Sequence, residues 1–178
     1  GGGILGLATA FLAHEQGLTV RVIDRSERPV GSSIMNFGHA CFTGQADAVL
    51  ETVWTSREGW IRAAEATGLW AAQAGTYVPA MTSTELKVLE EFAQHRGEEQ
   101  VQLVDGDQVG EGIGNPHLGA LGGAFLPLDM RVNPREAAPR LAAWLEEEGV
   151  SFRWRHEVKE VAGGTVVTNR GSFSAERV

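Results

Sequence analysis

The sequence predicts an α/β fold, and three observations predict it. A glycine-rich opening, Gly1 to Gly6, runs straight into a helix-forming stretch. A β-branched run from Leu18 to Ile23 follows and stops at Asp24. Strand-like and helix-like segments then alternate along the chain. The 178 residues, 43% hydrophobic and 21% charged, are enough for a real core and unlike a disordered, collagen-like or disulfide-stapled chain. With 15 Lys+Arg against 23 Asp+Glu the net charge is −8. An acidic chain without a basic stripe argues against nucleic acid as a partner. No 18-residue apolar run and no signal-peptide pattern occur, so no integral membrane segment is expected. The single Cys41 cannot form an internal disulfide or a Cys-based zinc cluster, and it fits a reducing, cytoplasmic setting.

The elements follow in order. Ile4 to Gln16 is rich in helix formers, with Leu5, Ala8, Phe11 and Leu12 as its expected apolar face and Gly17 as its stop. Leu18 to Ile23 reads as a strand, and Arg25 to Ser33 as a polar loop. Val49, Val53, Trp60, Ile61 and Ala64 recur at helical spacing over residues 46 to 66, closed by Gly68. Residues 70 to 81 are strand-like. Thr82 with Glu85 forms a capping box for a helix to about Gly97, with Leu86, Leu89 and Ala93 inward. Residues 98 to 132 read as strands joined by turns, including VQLV and GAFLP. Asn133-Pro134-Arg135-Glu136 starts a helix that ends at Gly149. VSFRWRHEVKEV, the Gly163-Gly164 turn and TVVTNRGSF read as successive strands, with the chain ending in mid-strand.

The chemistry-bearing motif is Gly1-x-Gly3-x-x-Gly6. Its glycines permit a tight turn, a close approach to a pyrophosphate and close packing of the helix on a sheet. The helix N-terminus stabilises phosphate charge without Lys or Arg, so an acidic protein can hold an anionic cofactor. Asp24 stands 18 residues after Gly6 at a strand end, where a carboxylate accepts hydrogen bonds from ribose hydroxyls. Ile4 and Arg25, adjoining the motif and the acid, complete this part of the candidate set. A ligand-free Gly-rich turn and a solvated strand-end carboxylate are the plain alternatives. Such a motif ordinarily follows a strand, so the chain is expected to be part of a longer one.

Gly31-Ser32-Ser33-Ile34-Met35-Asn36-Phe37-Gly38 resembles the segment after the strand-end acid in the D-amino-acid oxidase, glycine oxidase and sarcosine oxidase superfamily of FAD-dependent amine oxidoreductases. In that superfamily a Gly-x-Ser-x-x-Asn-x-Gly-like stretch lies along the FAD pyrophosphate and ribityl chain. Its match here is Gly31, Ser33, Asn36 and Gly38. Leu128 to Pro134 resembles the strand before the family's long helix, with Arg131 where a glycine often stands. Arg155 to Val158 resembles the strand whose valine backbone contacts adenine, though Val158 reads equally as a β core residue. Asn36-Phe37-Gly38, Thr43-Gly44-Gln45, Ser56-Arg57-Glu58 and Trp60 resemble a clade associated with phosphonate catabolism.

The resemblance implies a glutathione-reductase-like Rossmann FAD-binding domain over residues 1–69 and 131–178, with part of a β-rich substrate domain over 70–130. The implied cofactor residues are Gly1, Gly3, Ile4, Gly6, Asp24, Arg25, Ser32, Ser33, Asn36, Phe37, Gly38, His39 and Val158. The implied reaction is oxidation of a C–N bond in an amino acid, a small amine or an aminoalkylphosphonate, by hydride transfer to flavin. The electrons would pass to oxygen or another acceptor.

His39 reads either as a flavin or substrate contact or as a loop histidine satisfied by backbone. Cys41 is set aside as a flavin anchor. Arg57, Arg62 and Arg131 read as a dianion clamp or as ordinary surface arginines. His14, His95, His117 and His156 lack metal-ligand spacing, so no metal is expected. An NAD-dependent dehydrogenase, a flavin monooxygenase and a catalytically incompetent fragment are the competing readings.

Overall fold

The computed structural model describes residues 1–178, and the chain divides into two compact units. One comprises residues 1–38, 58–70 and 133–178, and the other residues 39–57 and 71–132. Residues 39–57, which the sequence reading groups with the opening, fall in the second unit.

The first unit opens with α1 (Ile4–Glu15), which stops at Gly17 with φ +74°. The strand after it, β1 (Arg21–Ile23), is shorter than the β-branched run because only these residues find a partner. The first α1 face expected from the sequence is corrected. Leu7, Ala10 and Phe11 are buried, whereas Leu5 is 83% exposed and Leu12 and Ala8 also lie outward. The helix is apolar around much of its circumference, so periodicity alone does not choose the face and packing does.

The other elements follow in chain order. They are β2 (His39–Ala40), α2 (Leu50–Thr67), β3 (Ala71–Ala72), β4 (Thr76–Ala80), α3 (Ser83–Arg96), β5 (Gln102–Val104), α4 (Gly106–Gly112), β6 (Gly122–Leu126) and β7 (Met130–Val132). α5 (Pro134–Glu147), β8 (Ser151–Arg153), β9 (Val158–Ala162), β10 (Thr165–Thr168) and β11 (Gly171–Ser174) complete the chain. α2 begins four residues later than its hydrophobic pattern, and Val49 sits outside it in a short 3-10 turn, 45% exposed. β11 ends at Ser174, and residues 175–178 form no strand.

In the first unit β1 pairs in parallel with β8, with Val22 opposite Phe152. α5 carries a continuous apolar stripe of Ala137, Ala138, Leu141, Ala142 and Leu145, and it packs on α1, with Phe11 against Trp144 at 5.5 Å. The Asn133 side chain caps α5 by accepting the Arg135 N–H, as the sequence predicts of an Asx cap before Pro134. β9, β10 and β11 form an antiparallel meander turned at Gly163 and Gly164, both at positive φ.

In the second unit β4, β6 and β5 form an antiparallel sheet whose core is Val101, Ala124 and Leu126, covered by Leu89, Phe92 and Ala93 of α3. The Thr82–Glu85 capping box is present. Residues 98–132 differ from expectation in containing a helix, α4, started by a second capping box between Asp105 and Gln108. The glycines in this stretch mask that signal, and they are needed there. A Cβ at Gly106 would overlap the carbonyl of Ala120, and one at Gly112 the ring of Tyr77. No helix is long and apolar enough to cross a membrane.

Leu145 is fully buried, so Leu145→Ala is expected to destabilise the first unit by about 2–5 kcal/mol. Thr82→Ala removes only a cap and is expected to cost the second unit about 1 kcal/mol. Denaturant unfolding of the two variants, ranked in that order, is the check.

Candidate cofactor site

The site begins with the impossibility of a side chain at position 6. A Cβ on Gly6 would overlap the carbonyl oxygen of Gly1, so the first turn of α1 lies directly on the opening loop. Gly2 is constrained by a side chain rather than by backbone, because a Cβ there would run into the outer edge of the Trp154 ring. Trp154 is itself stacked on Phe152 at 5.1 Å. Gly3 is the α1 N-cap, in extended backbone, and offers no side-chain oxygen to the free N–H groups of the first turn. A Cβ at Gly3 would lie 3.0 Å from Ser33 Oγ. Gly1 meets only ordinary contact, with Asp24 Oδ2 3.5 Å from its Cβ position. The spatial demand for glycine is strictest at position 6, where the obstacle is backbone.

Two side chains from distant segments close on this loop. Ser33 Oγ accepts the N–H of Ile4 at 3.0 Å across 29 residues, which puts a hydroxyl at the positive end of α1. Asp24 Oδ2 accepts the N–H of Gly2 at 2.7 Å, and its Oδ1 accepts the N–H of Ser26 at 2.7 Å. Burial pushes the Asp24 carboxyl up, but the hydrogen bonds from Gly2 and Ser26 outweigh it and hold the group below the usual carboxylate range. Each oxygen keeps a further lone pair for a hydroxyl donor. The structure thus brings together Gly1, Gly3, Ile4, Gly6, Asp24 and Ser33, and adds Gly2 and Trp154. Neither addition is flagged by spacing, although the run of three glycines is a signal for Gly2.

Other expected residues serve the loop itself. The Asn36 side chain donates to Ser32 O at 2.9 Å and accepts the Gly38 N–H at 2.8 Å, fixing a turn whose Gly38 has φ +71°. Ser32 is exposed, and Phe37 is 100% exposed. Arg25 is exposed beside Asp24, with Glu157 near its charge. Val158 opens β9, 41% exposed and paired with Thr168. His39 belongs to the second unit, where its Nε2 lies 3.0 Å from both Asp129 Oδ2 and Thr76 Oγ1. Its side chain thus meets side-chain partners rather than backbone.

Two of the three arginines have partners within the chain. Arg57 donates to Leu128 O and Gln73 Oε1, each at 2.8 Å. Arg62 pairs with Glu15 at 3.0 Å, and Arg131 is a strand residue opposite His39.

Asp24 generates a pH prediction. Its folded pKa is lowered, so its contribution to stability is present above the ordinary carboxylate pKa of 3.8 and is lost as pH falls through the folded value. The gap in unfolding midpoint between the parent and Asp24→Asn is expected to be widest near neutrality and to shrink below about pH 4. Denaturant melts from pH 3 to pH 7 measure it.

The family model described as DAO, FAD dependent oxidoreductase, matches residues 1–178. No curated protein sequence matches the chain significantly. L-proline dehydrogenase from P. horikoshii is 22% identical with a TM-score of 0.83 over 98% of this chain and 49% of its own. Glycine oxidase from Bacillus cereus is 21% identical, TM-score 0.83, over 99% and 53%. L-α-glycerophosphate oxidase from Mycoplasma pneumoniae, a structure with FAD bound, is 19% identical, TM-score 0.76, over 95% and 48%. The chain spans about half the length of these structures. Its fold is theirs, and with the family model covering every residue, the chain belongs to the DAO family of FAD-dependent oxidoreductases.

Proposed function

We propose that the whole protein oxidises a C–N bond of an amino acid or small amine. The observation that carries the cofactor half of this reading is the turn at α1, where the absent Gly6 side chain lets the first helical turn lie on the Gly1 carbonyl and where Ser33 and Asp24 converge on the same turn. These residues fit a dinucleotide. The first-turn N–H groups and the Ser33 hydroxyl would hold the pyrophosphate, and Asp24 would accept from the adenosine ribose. FAD bound there supplies the hydride acceptor. Ser32, the Asn36–Gly38 turn, Ile4 and Arg25 would border the cofactor along the loop, and Val158 would lie by the adenine.

The chain's own contribution is orientation and charge. The α1 N-terminus supplies a positive end without a cationic side chain, and Asp24, held ionised by two backbone amides, disfavours a 2′-phosphate at the same place. Glycine oxidase and proline dehydrogenase, named among the similar structures, support a C–N substrate, and glycerophosphate oxidase is the reason for testing a C–O one. An aminoalkylphosphonate is the finer substrate class. If it is the substrate, its dianion is not held by Arg57 or Arg62, which are occupied. The single cysteine supports a cytoplasmic setting.

The test is anaerobic bleaching of the flavin absorbance of the full-length protein by amino acids, N-methyl amines, aminoalkylphosphonates and α-glycerophosphate. Bleaching by a member of the amine panel, with re-oxidation by oxygen or a dye, is expected. Bleaching by glycerophosphate alone overturns the C–N assignment. Ser33→Ala is expected to weaken FAD binding by about 10-fold to 100-fold, the worth of one hydrogen bond to a charged group. Gly6→Ala is expected to abolish FAD retention, measured as flavin released on gel filtration.

A further inference from the structure

The second unit contains a group of side chains, His39, Cys41 and Asp129, of which the cofactor reading uses only His39. β2 and β7 are antiparallel, with His39 opposite Arg131 and Ala40 opposite Met130. Continuing that register by one residue brings Cys41 opposite Asp129. His39 and Cys41 are two residues apart, so they fall on the same side of the strand. The result is one nitrogen, one sulfur and one carboxylate oxygen, from His39, Cys41 and Asp129, all within 4.8 Å of one another.

We propose that these three residues form a binding site for a divalent zinc-class ion, with Thr76 beside the fourth position. Four observations carry this. First, His39 Nε2 and Asp129 Oδ2 are 3.0 Å apart, close to the roughly 3.3 Å between two ligands held about 2.05 Å from a tetrahedral centre. Second, Asp129 has no exposed surface, and its Oδ1 accepts the N–H groups of Phe42 and Thr43 at 3.0 Å each. The carboxylate is therefore fixed in orientation with Oδ2 left toward His39, the outer-shell support that metal-binding carboxylates have. Third, the Nε2 atom has two oxygen neighbours, Asp129 Oδ2 and Thr76 Oγ1, and a single ring N–H cannot serve both well, whereas a cation at the same place is attracted to every one of these atoms. Fourth, Thr43, whose amide holds Asp129, is itself fully buried, so the backbone that fixes the carboxylate is packed in place.

The donor set selects the ion. One imidazole, one thiolate and one carboxylate suit zinc, while calcium and magnesium demand oxygen ligands in larger number. A thiolate and a carboxylate also neutralise a dication with the imidazole neutral. The mixed set explains why no ligand spacing is visible in the sequence, since one ligand lies about 90 residues from the other two.

The full-length protein, stripped with chelator and dialysed against zinc chloride, tests this by metal analysis and zinc X-ray absorption. One zinc per chain is expected, with one sulfur at about 2.3 Å and nitrogen or oxygen ligands at about 2.0–2.1 Å. Cys41→Ser and Asp129→Asn are expected to weaken binding by at least about tenfold. His95→Gln, at the separate exposed His95–Asp47 pair, is expected to leave it unchanged. A Cys41→Ser protein that fails to fold is replaced by a measurement on the parent, in which zinc must slow alkylation of Cys41 read by peptide mass spectrometry. Absence of bound zinc, zinc without sulfur, or alkylation unaffected by zinc each overturns the proposal. None of these readouts involves the flavin, so the site stands or falls independently of the C–N assignment.

Discussion

The first unit depends on one close approach, that of the Gly1 carbonyl to the backbone of Gly6. Because no side chain separates loop from helix, α1 starts at the turn itself. Ser33 and Asp24 then have backbone donors to meet, at Ile4 and Gly2. A methyl group at position 6 would force the loop away, and the hydroxyl and carboxylate would lose those partners together. The arrangement of the turn is thus a consequence of steric closeness first and of electrostatics second.

Each unit uses a carboxylate to hold a loop, in the same physical way. Asp24 accepts from Gly2 and Ser26, and Asp129 accepts from Phe42 and Thr43. Burial alone would raise both carboxyls, yet the hydrogen bonds to the charged form prevail and both are held below the usual range. An acidic chain therefore keeps ionised groups at partly or wholly buried positions by surrounding them with amides rather than with arginines. The arginines are engaged elsewhere, Arg57 on a carbonyl and an amide and Arg62 on Glu15.

The two carboxylates differ in what remains open. Asp24 is half-buried, next to a helix N-terminus, and suits a neutral hydroxyl donor of an anionic ligand. Asp129 is sealed, next to an imidazole and a thiol, and suits a cation.

Much of the secondary structure was legible in the sequence because its signals are local. The Thr82–Glu85 box, the Asn133-Pro134 start, the stop at Gly17 and the Gly163-Gly164 turn are all settled by atoms within a few residues. The glycine motif and the strand-end acid were legible for the same reason, since each is defined by short spacing. What the sequence left open needed partners far along the chain. The buried face of α1 was decided by packing on α5, and the length of β1 by the three residues of β8 that pair with it. Asn36, expected beside a ligand, has its amide committed to its own turn, and α4 was hidden among glycines required by neighbouring backbone. Sequence alone determined the capped helix starts at Thr82 and Asn133, the turn at Gly163-Gly164 and the glycine-rich turn that opens α1. Tertiary structure alone decided that Trp154 lies over Gly2, that Ser33 lies on Ile4 and that His39 meets Asp129, because contacts across tens of residues depend on how strands register, and no local spacing encodes that.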